Sequence, residues 1–238
     1  AEQVTNEKMH HERMAINIKE KASLIWNIAD ILRGLYKPHE YGKVILPMTV
    51  IKRLHDTLLP TRDDVLAVSK SVTNIKVAQI RDRKLTDASG YTFYNTSRFT
   101  FENLLSDPEN IYDNFNSFLN GFSENVRDIL DNFEFDKEIS KMANNDALFA
   151  VIQEFNSKKA YLGADTVTST DMGYIFEELV RRFSESYGED AGAHFTSRDI
   201  IYLMTDILLI NEKPSDKPIL RTIYDQTMGT SQMLSAMM

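Results

Sequence analysis

The stretch that decides the fold is ILRTIYDQTMGTSQMLSAMM, Ile219 to Met238. Its first part, I-L-R-T-I-Y-D, is rich in β-branched and aromatic residues and ends at an acid, Asp225, which predicts a strand over 219–225. T-M-G-T-S follows, and Q-M-L-S-A-M-M has the composition of a helix. A strand, turn and helix in that order is the unit of an open parallel sheet, where ligands lie at the carboxyl ends of the strands. Gly229 is the candidate turn residue, and amides at the start of the following helix are natural donors to a polar or anionic ligand. Asp225 is placed to accept from an ammonium or to order the loop. An ordinary turn after a strand has the same spacing, so both readings stand on spacing alone.

Just upstream, Phe195-Thr196-Ser197-Arg198-Asp199 is a second small-residue loop that feeds an apolar helix, Ile200 to Ile210. Thr196 with Asp199 fits a capping box, and a hydroxyl at such a cap can also meet a ligand. A polar loop, Asn211 to Pro218, separates that helix from the strand.

The rest of the chain reads as helical. Leu24, Ile25, Ile28, Ile31, Leu32 and Leu35 recur at helical spacing between Ile18 and Leu35, with Gly34 and Pro38 as the stop. A second segment runs from Glu40 to Leu59 with Pro47 as a kink or restart, and Lys52, Arg53 and His55 cluster beside its apolar stripe. A third helix begins near Asp63, uses Val65, Leu66, Val72, Ile75 and Ile80, and ends before Ala88-Ser89-Gly90. Tyr91-Thr92-Phe93-Tyr94 reads as a short extended arm or as a cap on a helical core. Helical segments follow over Thr100–Leu105, Ile111–Phe122, Asn125–Phe133 and Lys137–Phe155. The pattern loosens around Asn156 to Thr168, which sets the expected boundary: a helical domain over 1–160 and a second domain beginning at 161–238. Thr168 to Asp171 is a capping signal for a helix with Met172, Ile175, Phe176, Leu179, Val180 and Phe183 on one face and Arg181 and Arg182 near its end.

Composition narrows the chemistry. The chain has 238 residues, 42% of them hydrophobic and 26% charged, enough for a packed core and unlike a disordered or fibrous protein. No apolar run approaches the roughly 18 residues of a membrane span, and the polar N-terminus lacks a signal-peptide core, so no membrane and a cytoplasmic location are expected. The absence of cysteine excludes disulfides, thiolate metal sites and a cysteine nucleophile. His10, His11, His39, His55 and His194 show no ligand spacing, and no metal site is expected. The net charge of −8 is split: residues 1–85 carry a net of +5 and residues 86–238 a net of −13. Basic residues at one end suit phosphate contacts, and equally a solvated helical face.

Two segments together resemble a family. G-A-H-F-T-S-R-D-I-I-Y-L-M resembles the motif X segment, and Y-D-Q-T-M-G-T-S-Q-M-L the motif I segment, of amino-methyltransferases that modify adenine in DNA. L-W-N-I-A-D-I-L-R-G with Y-G-K-V-I-L-P-M-T-V-I-K-R-L resembles the helical N-terminal region of the modification subunit of type I restriction-modification systems. D-M-G-Y-I-F-E-E-L-V-R-R-F resembles that subunit's next recurring segment. These stretches lie in the right order from about residue 24 to 234.

The resemblance implies a mainly α chain: a helical N-terminal domain followed by the start of an α/β Rossmann-like methyltransferase domain. It implies S-adenosylmethionine as cofactor, held by Gly192, His194, Phe195, Thr196 and Ser197 from motif X and by Asp225, Gly229, Thr230 and Ser231 from motif I. It implies methyl transfer to adenine N6 in double-stranded DNA, with a specificity subunit, a second modification subunit and a restriction (motor) subunit as partners. Departures are plain: Ser197 and Gln226 stand where proline is usual, Met228 replaces cysteine, and Ser231-Gln232 replace a glycine pair. The Asn-Pro-Pro-[Phe/Tyr] segment that holds the flipped adenine has no counterpart, and the chain stops inside the helix after motif I. The expectation is therefore a fragment with no catalytic residue of its own, inactive in isolation. A non-catalytic helical interaction protein, with Gln226, Met228 and Gln232 marking a lost cofactor site, is the competing reading.

Overall fold

The computed structural model describes residues 18–186, 196, 198–210, 222–227 and 232–237. The chain forms two compact units, Ala1–Tyr187 and Gly188–Met238.

The first unit is built from helices around one apolar core. The first described helix, α1, covers 18–26, and α2 is Ile28–Leu32. Asn27 interrupts them with a single turn, its amide shared between the carbonyls of Ser23 and Leu24, both at 3.1 Å. Ile25, Ile28 and Leu32 nevertheless stay on one buried stripe, as their spacing predicts. Gly34 then takes φ +91°, a left-handed turn that glycine adopts without steric cost, and the chain turns out of the helix.

Helix α3, Gly42–Leu58, runs through the middle of the unit. Pro47 lies inside it and removes one backbone donor without breaking it. Val44, Ile45, Met48 and Ile51 are completely buried, and so are Thr49 and Asp56 from other faces of the helix. A helix buried nearly all round must satisfy its polar side chains internally. Thr49 does so by donating to Ile45 O at 2.6 Å.

The segment expected as one helix from Asp63 is two: α4, Arg62–Ser71, and α5, Ala78–Ser89, packed against each other. Val72, Thr73 and Asn74 are weak helix formers, and the reversal they permit lets Val65 and Val72 bury against Leu85 in a small core of their own. Helix α5 continues through Ala88 and Ser89, beyond the expected end, and stops at Gly90 with φ +72°. The aromatic arm after it forms no strand. Asn95 makes a single antiparallel bridge with Phe122, Thr96 N donates to Gly121 O at 2.8 Å, and Ser123 N donates to Tyr94 O at 3.0 Å. Phe93 and Phe99 pack on the main core, so the arm is extended and caps the helices at once.

Five helices follow in the core: α6, Phe101–Leu104; α7, Ile111–Asn120; α8, Glu124–Asn132; α9, Phe135–Ala143; and α10, Ala147–Phe155. The expected single helix over 137–155 is broken between α9 and α10, where Asp146 takes φ 57°. Asn144-Asn145-Asp146 suits that break, because Asn and Asp tolerate the left-handed region better than other side chains. Phe118 is the hub of the aromatic packing, with edge-on contacts to Phe101 at 5.9 Å and to Phe122 at 5.3 Å.

Residues 156–168 contain only a short 3-10 turn, Lys158–Ala160, yet Leu162 and Val167 are buried in the core. Helix α11, Ser169–Ser186, begins at the expected capping box: Asp171 N donates to Thr168 Oγ1 at 3.1 Å, and Thr168 N donates to Asp171 Oδ2 at 2.9 Å. Met172, Ile175, Leu179 and Phe183 turn into the core of this unit. Phe183 meets Trp26 at 5.2 Å, and Arg182 Nη2 donates to Ser23 Oγ at 2.8 Å.

In the second unit, α12, Arg198–Leu209, packs with α13, Gln232–Met237. Ile201 and Thr205 are buried there, whereas Leu203, Ile207, Leu208 and Ile210 are exposed. The expected strand is not formed over Thr222–Asp225, and Ile219–Arg221 lie outside the described residues. A strand's hydrogen bonds are made to a neighbouring strand, and no sheet exists among the described residues to supply one. The loop over Asn211–Pro218 is also outside them.

Candidate functional site

Of the nine residues expected to hold a cofactor, two are described, and both belong to the second unit. Thr196 is exposed and lies two residues before α12. Asp225 is half-buried, and its Oδ1 accepts from Thr227 N at 2.9 Å and from Thr227 Oγ1 at 3.2 Å. An aspartate bonded two residues ahead in this way fixes the turn that follows it. Asp225 thus orders the loop, one of its two expected roles, and Oδ2 takes no hydrogen bond among the described residues. Gly192, His194, Phe195, Ser197, Gly229, Thr230 and Ser231 lie outside the described residues.

The basic cluster of α3 has a different use from a phosphate-facing surface. Lys52 and His55 are buried, and both turn to Asp56: Lys52 Nζ donates to Oδ1 at 2.8 Å and His55 Nδ1 meets the same oxygen at 2.9 Å. Asp56 Oδ2 accepts from Leu162 N at 2.8 Å, so the carboxylate is bonded from three sides. Lys52 also lies 5.1 Å from the Phe101 ring centre. Arg53 Nη1 donates to Leu162 O at 2.5 Å and to Val167 O at 2.6 Å. Burial pushes the Arg53 guanidinium below its ordinary value, with Tyr91, Asp165, Asp171 and Asp56 opposing. Burial also lowers the His55 imidazole, against the upward pull of its hydrogen bond to Asp56. Lys21 completes the strap by donating to Lys159 O at 3.2 Å and to Tyr161 O at 2.7 Å.

These groups hold the 156–168 segment to α3 and, through Lys21, to α1. Asp56 is the residue that sequence reading missed. Its signal was present as a Lys52–Asp56 pair at i, i+4 on a helix with apolar residues on several faces.

The basic residues left at the surface include Lys70, Lys76, Arg81, Arg83 and Lys84 on the α4–α5 hairpin. On α11, Arg181 and Arg182 both bond Glu178, and Arg181 also bonds Glu185. These bonds hold the Glu178 carboxyl below the usual range despite its partial burial. Among the described residues no cluster of His, Asp and Glu is arranged to hold a metal ion, and no helix is long and apolar enough to cross a membrane.

Residues 21–155, more than half of the chain, match the model of the HsdM N-terminal domain, and residues 167–238 match that of the N-6 DNA Methylase. No curated protein matches the chain. The methylase match begins at residue 167, just before α11, and the two matches favour the methyltransferase subunit over a non-catalytic helical interaction protein. The two matches in this order, on a helical unit followed by the motif X and motif I segments, place the chain in the HsdM N-terminal domain family, as the N-terminal part of the modification subunit of a type I restriction-modification system, an adenine N6 methyltransferase.

Proposed function

We propose that residues 161–238 open a methyltransferase domain that binds S-adenosylmethionine, and that residues 1–160 form the helical domain preceding it. The residues that would hold the cofactor are Gly192, His194, Phe195, Thr196 and Ser197 together with Asp225, Gly229, Thr230 and Ser231. The observation that carries this reading is the Asp225 turn: one carboxylate oxygen accepts from Thr227, and the other, which takes no hydrogen bond among the described residues, is the acceptor offered to a cofactor hydroxyl or ammonium. When bound, the cofactor supplies an electrophilic methyl group on sulfur. Thr196, exposed beside α12, offers a hydroxyl.

The substrate is adenine N6 in double-stranded DNA, acted on in a cytoplasmic assembly with a specificity subunit, a second modification subunit and a motor subunit. Lys70, Lys76, Arg81, Arg83 and Lys84 of the hairpin supply positive charge for the DNA backbone or for the specificity subunit. Residues 1–238 contain no Asn-Pro-Pro-[Phe/Tyr] segment, and by themselves transfer no methyl group. The test is radiolabelled methyl transfer to DNA by the complete modification subunit with its specificity subunit. Label recovered as N6-methyladenine supports the reading. Cofactor binding without label in DNA, or no cofactor binding at all, overturns it.

A further inference from the structure

His55 carries a second observation that the strap does not use. Its ring is buried between Phe101, with centres 5.0 Å apart, and Phe118, at 5.8 Å. Its Nδ1 faces Asp56 Oδ1 at 2.9 Å, and a carboxylate only accepts, so the proton of a neutral ring sits on Nδ1. Burial favours that neutral ring. Nε2 is then a bare acceptor, and it is a buried atom with no hydrogen-bond partner. Leaving such a group unsatisfied costs stability, so each case calls for a physical account.

His55 is one of the residues that line a cavity of about 20 Å³ between the end of α3, the start of α4 and the aromatic arm. Val65 and Phe118 give apolar walls, and Arg62, Asn95 and Ser97 add polar groups. A space of this kind must exceed about 10–15 Å³ to admit one water molecule, so this one admits a single small occupant. Its chemistry is constrained. It must donate to Nε2, which excludes carbonyl and anionic groups. It lies beside Arg62 and near Lys52, which disfavours a cation. It also needs donors to accept from. Ser97 Oγ already accepts from Phe99 N at 3.2 Å and keeps its own proton to give. Asn95 donates to Phe118 O at 3.1 Å through one of its two amide hydrogens and retains the other.

We propose that the cavity beside His55 is a binding site for one water molecule, which donates to His55 Nε2 and accepts from the Ser97 or Asn95 side chain. The water extends a buried chain that starts at Lys52, passes through Asp56 and His55, and ends on the aromatic arm. Through Asp56 the same chain reaches Leu162, so α3, the 156–168 segment and the arm share one polar network. A network with every member satisfied fixes a single packing arrangement.

The test is a high-resolution crystal structure of this chain and of its His55→Phe variant, with long-range proton–nitrogen NMR of His55 in the native chain. The expected result is one ordered water within hydrogen-bond distance of Nε2, lost completely in His55→Phe, and a ring protonated on Nδ1. A dry cavity in the native chain overturns the proposal, as does the same water persisting in His55→Phe. Should the variant fail to fold, the native chain alone decides: a ring protonated on Nε2 makes that atom a donor, and the proposed acceptor role fails.

Discussion

Asp56 Oδ2 accepts the backbone amide of Leu162 at 2.8 Å, joining the last turn of α3 to a residue 106 positions later that belongs to no helix. The amide of Leu162 has no helical or sheet partner, and the side chain of Leu162 is completely buried. The carboxylate therefore does the work that a backbone carbonyl does inside a helix. It can do so in the core because Lys52 neutralises it at 2.8 Å, with both side chains nearly inaccessible to water.

Removing one member of this pair exposes the dependence. Asp56→Ala leaves the Lys52 ammonium buried without a counter-charge, and the expected loss is about 3–5 kcal/mol of stability. The double variant Lys52→Met/Asp56→Leu removes both charges and recovers part of that loss, leaving about 1–3 kcal/mol for the orphaned Leu162 amide. Urea unfolding of the three chains measures this. A double variant as unstable as Asp56→Ala shows that the charge pair is not the cause.

The Leu162 amide reports the strap directly. Hydrogen exchange in the native chain should protect it to the level of core helix amides, although it belongs to no helix. In Arg53→Ala, which removes the donor to Leu162 O and Val167 O, exchange at Leu162 and Val167 should rise while α7 and α10 stay protected. Equal exchange in both chains removes Arg53 from the strap.

His55 makes stability depend on pH with a definite sign. Its folded value lies below the ordinary 6.5, because burial disfavours the charged ring more than Asp56 favours it, with Lys52 and Arg62 adding repulsion. The unfolded chain therefore binds the proton more readily. The His55 contribution is fully present above about pH 6.5 and is lost as pH falls from there through the folded value. Unfolding midpoints between pH 8 and pH 5 should fall more steeply for the native chain than for His55→Phe. Parallel slopes would assign the pH dependence to other groups.

For the cofactor site, Asp225→Ala and Gly229→Val in the complete modification subunit should each weaken S-adenosylmethionine binding at least tenfold by calorimetry. The first removes an acceptor and unties Thr227, and the second adds a branched side chain at the position proposed for close approach of backbone to the ligand. Unchanged affinity in both variants takes the cofactor away from this loop.

The helices were legible because burial is periodic. The stripe through Ile25, Ile28 and Leu32, and the one through Met172, Ile175, Leu179 and Phe183, are local patterns, and the Thr168–Asp171 cap is a contact over three residues. The four segments that resemble type I modification subunits were legible for the same reason, since each is a short run of residues. The breaks at Val72–Asn74 and Asn144–Asp146 were not, because apolar residues keep roughly helical spacing across both. What turns the chain there is the tertiary packing of Val65 and Val72 on Leu85, and of α9 on α10.

The destination of the charges was also out of local reach. Lys52, Arg53 and His55 read only as a cluster beside an apolar stripe, because a sequence window shows which groups are ionisable and not which atoms surround them. Their partners at Asp56, Leu162 and Val167 include two that lie more than a hundred residues away. The sequence by itself determined a helical protein of the type I modification family, since helix periodicity and motif order are properties of neighbouring residues. The tertiary structure alone decided that the basic cluster faces inward, because a charge is stable in the core only where distant backbone and carboxylate groups converge on it.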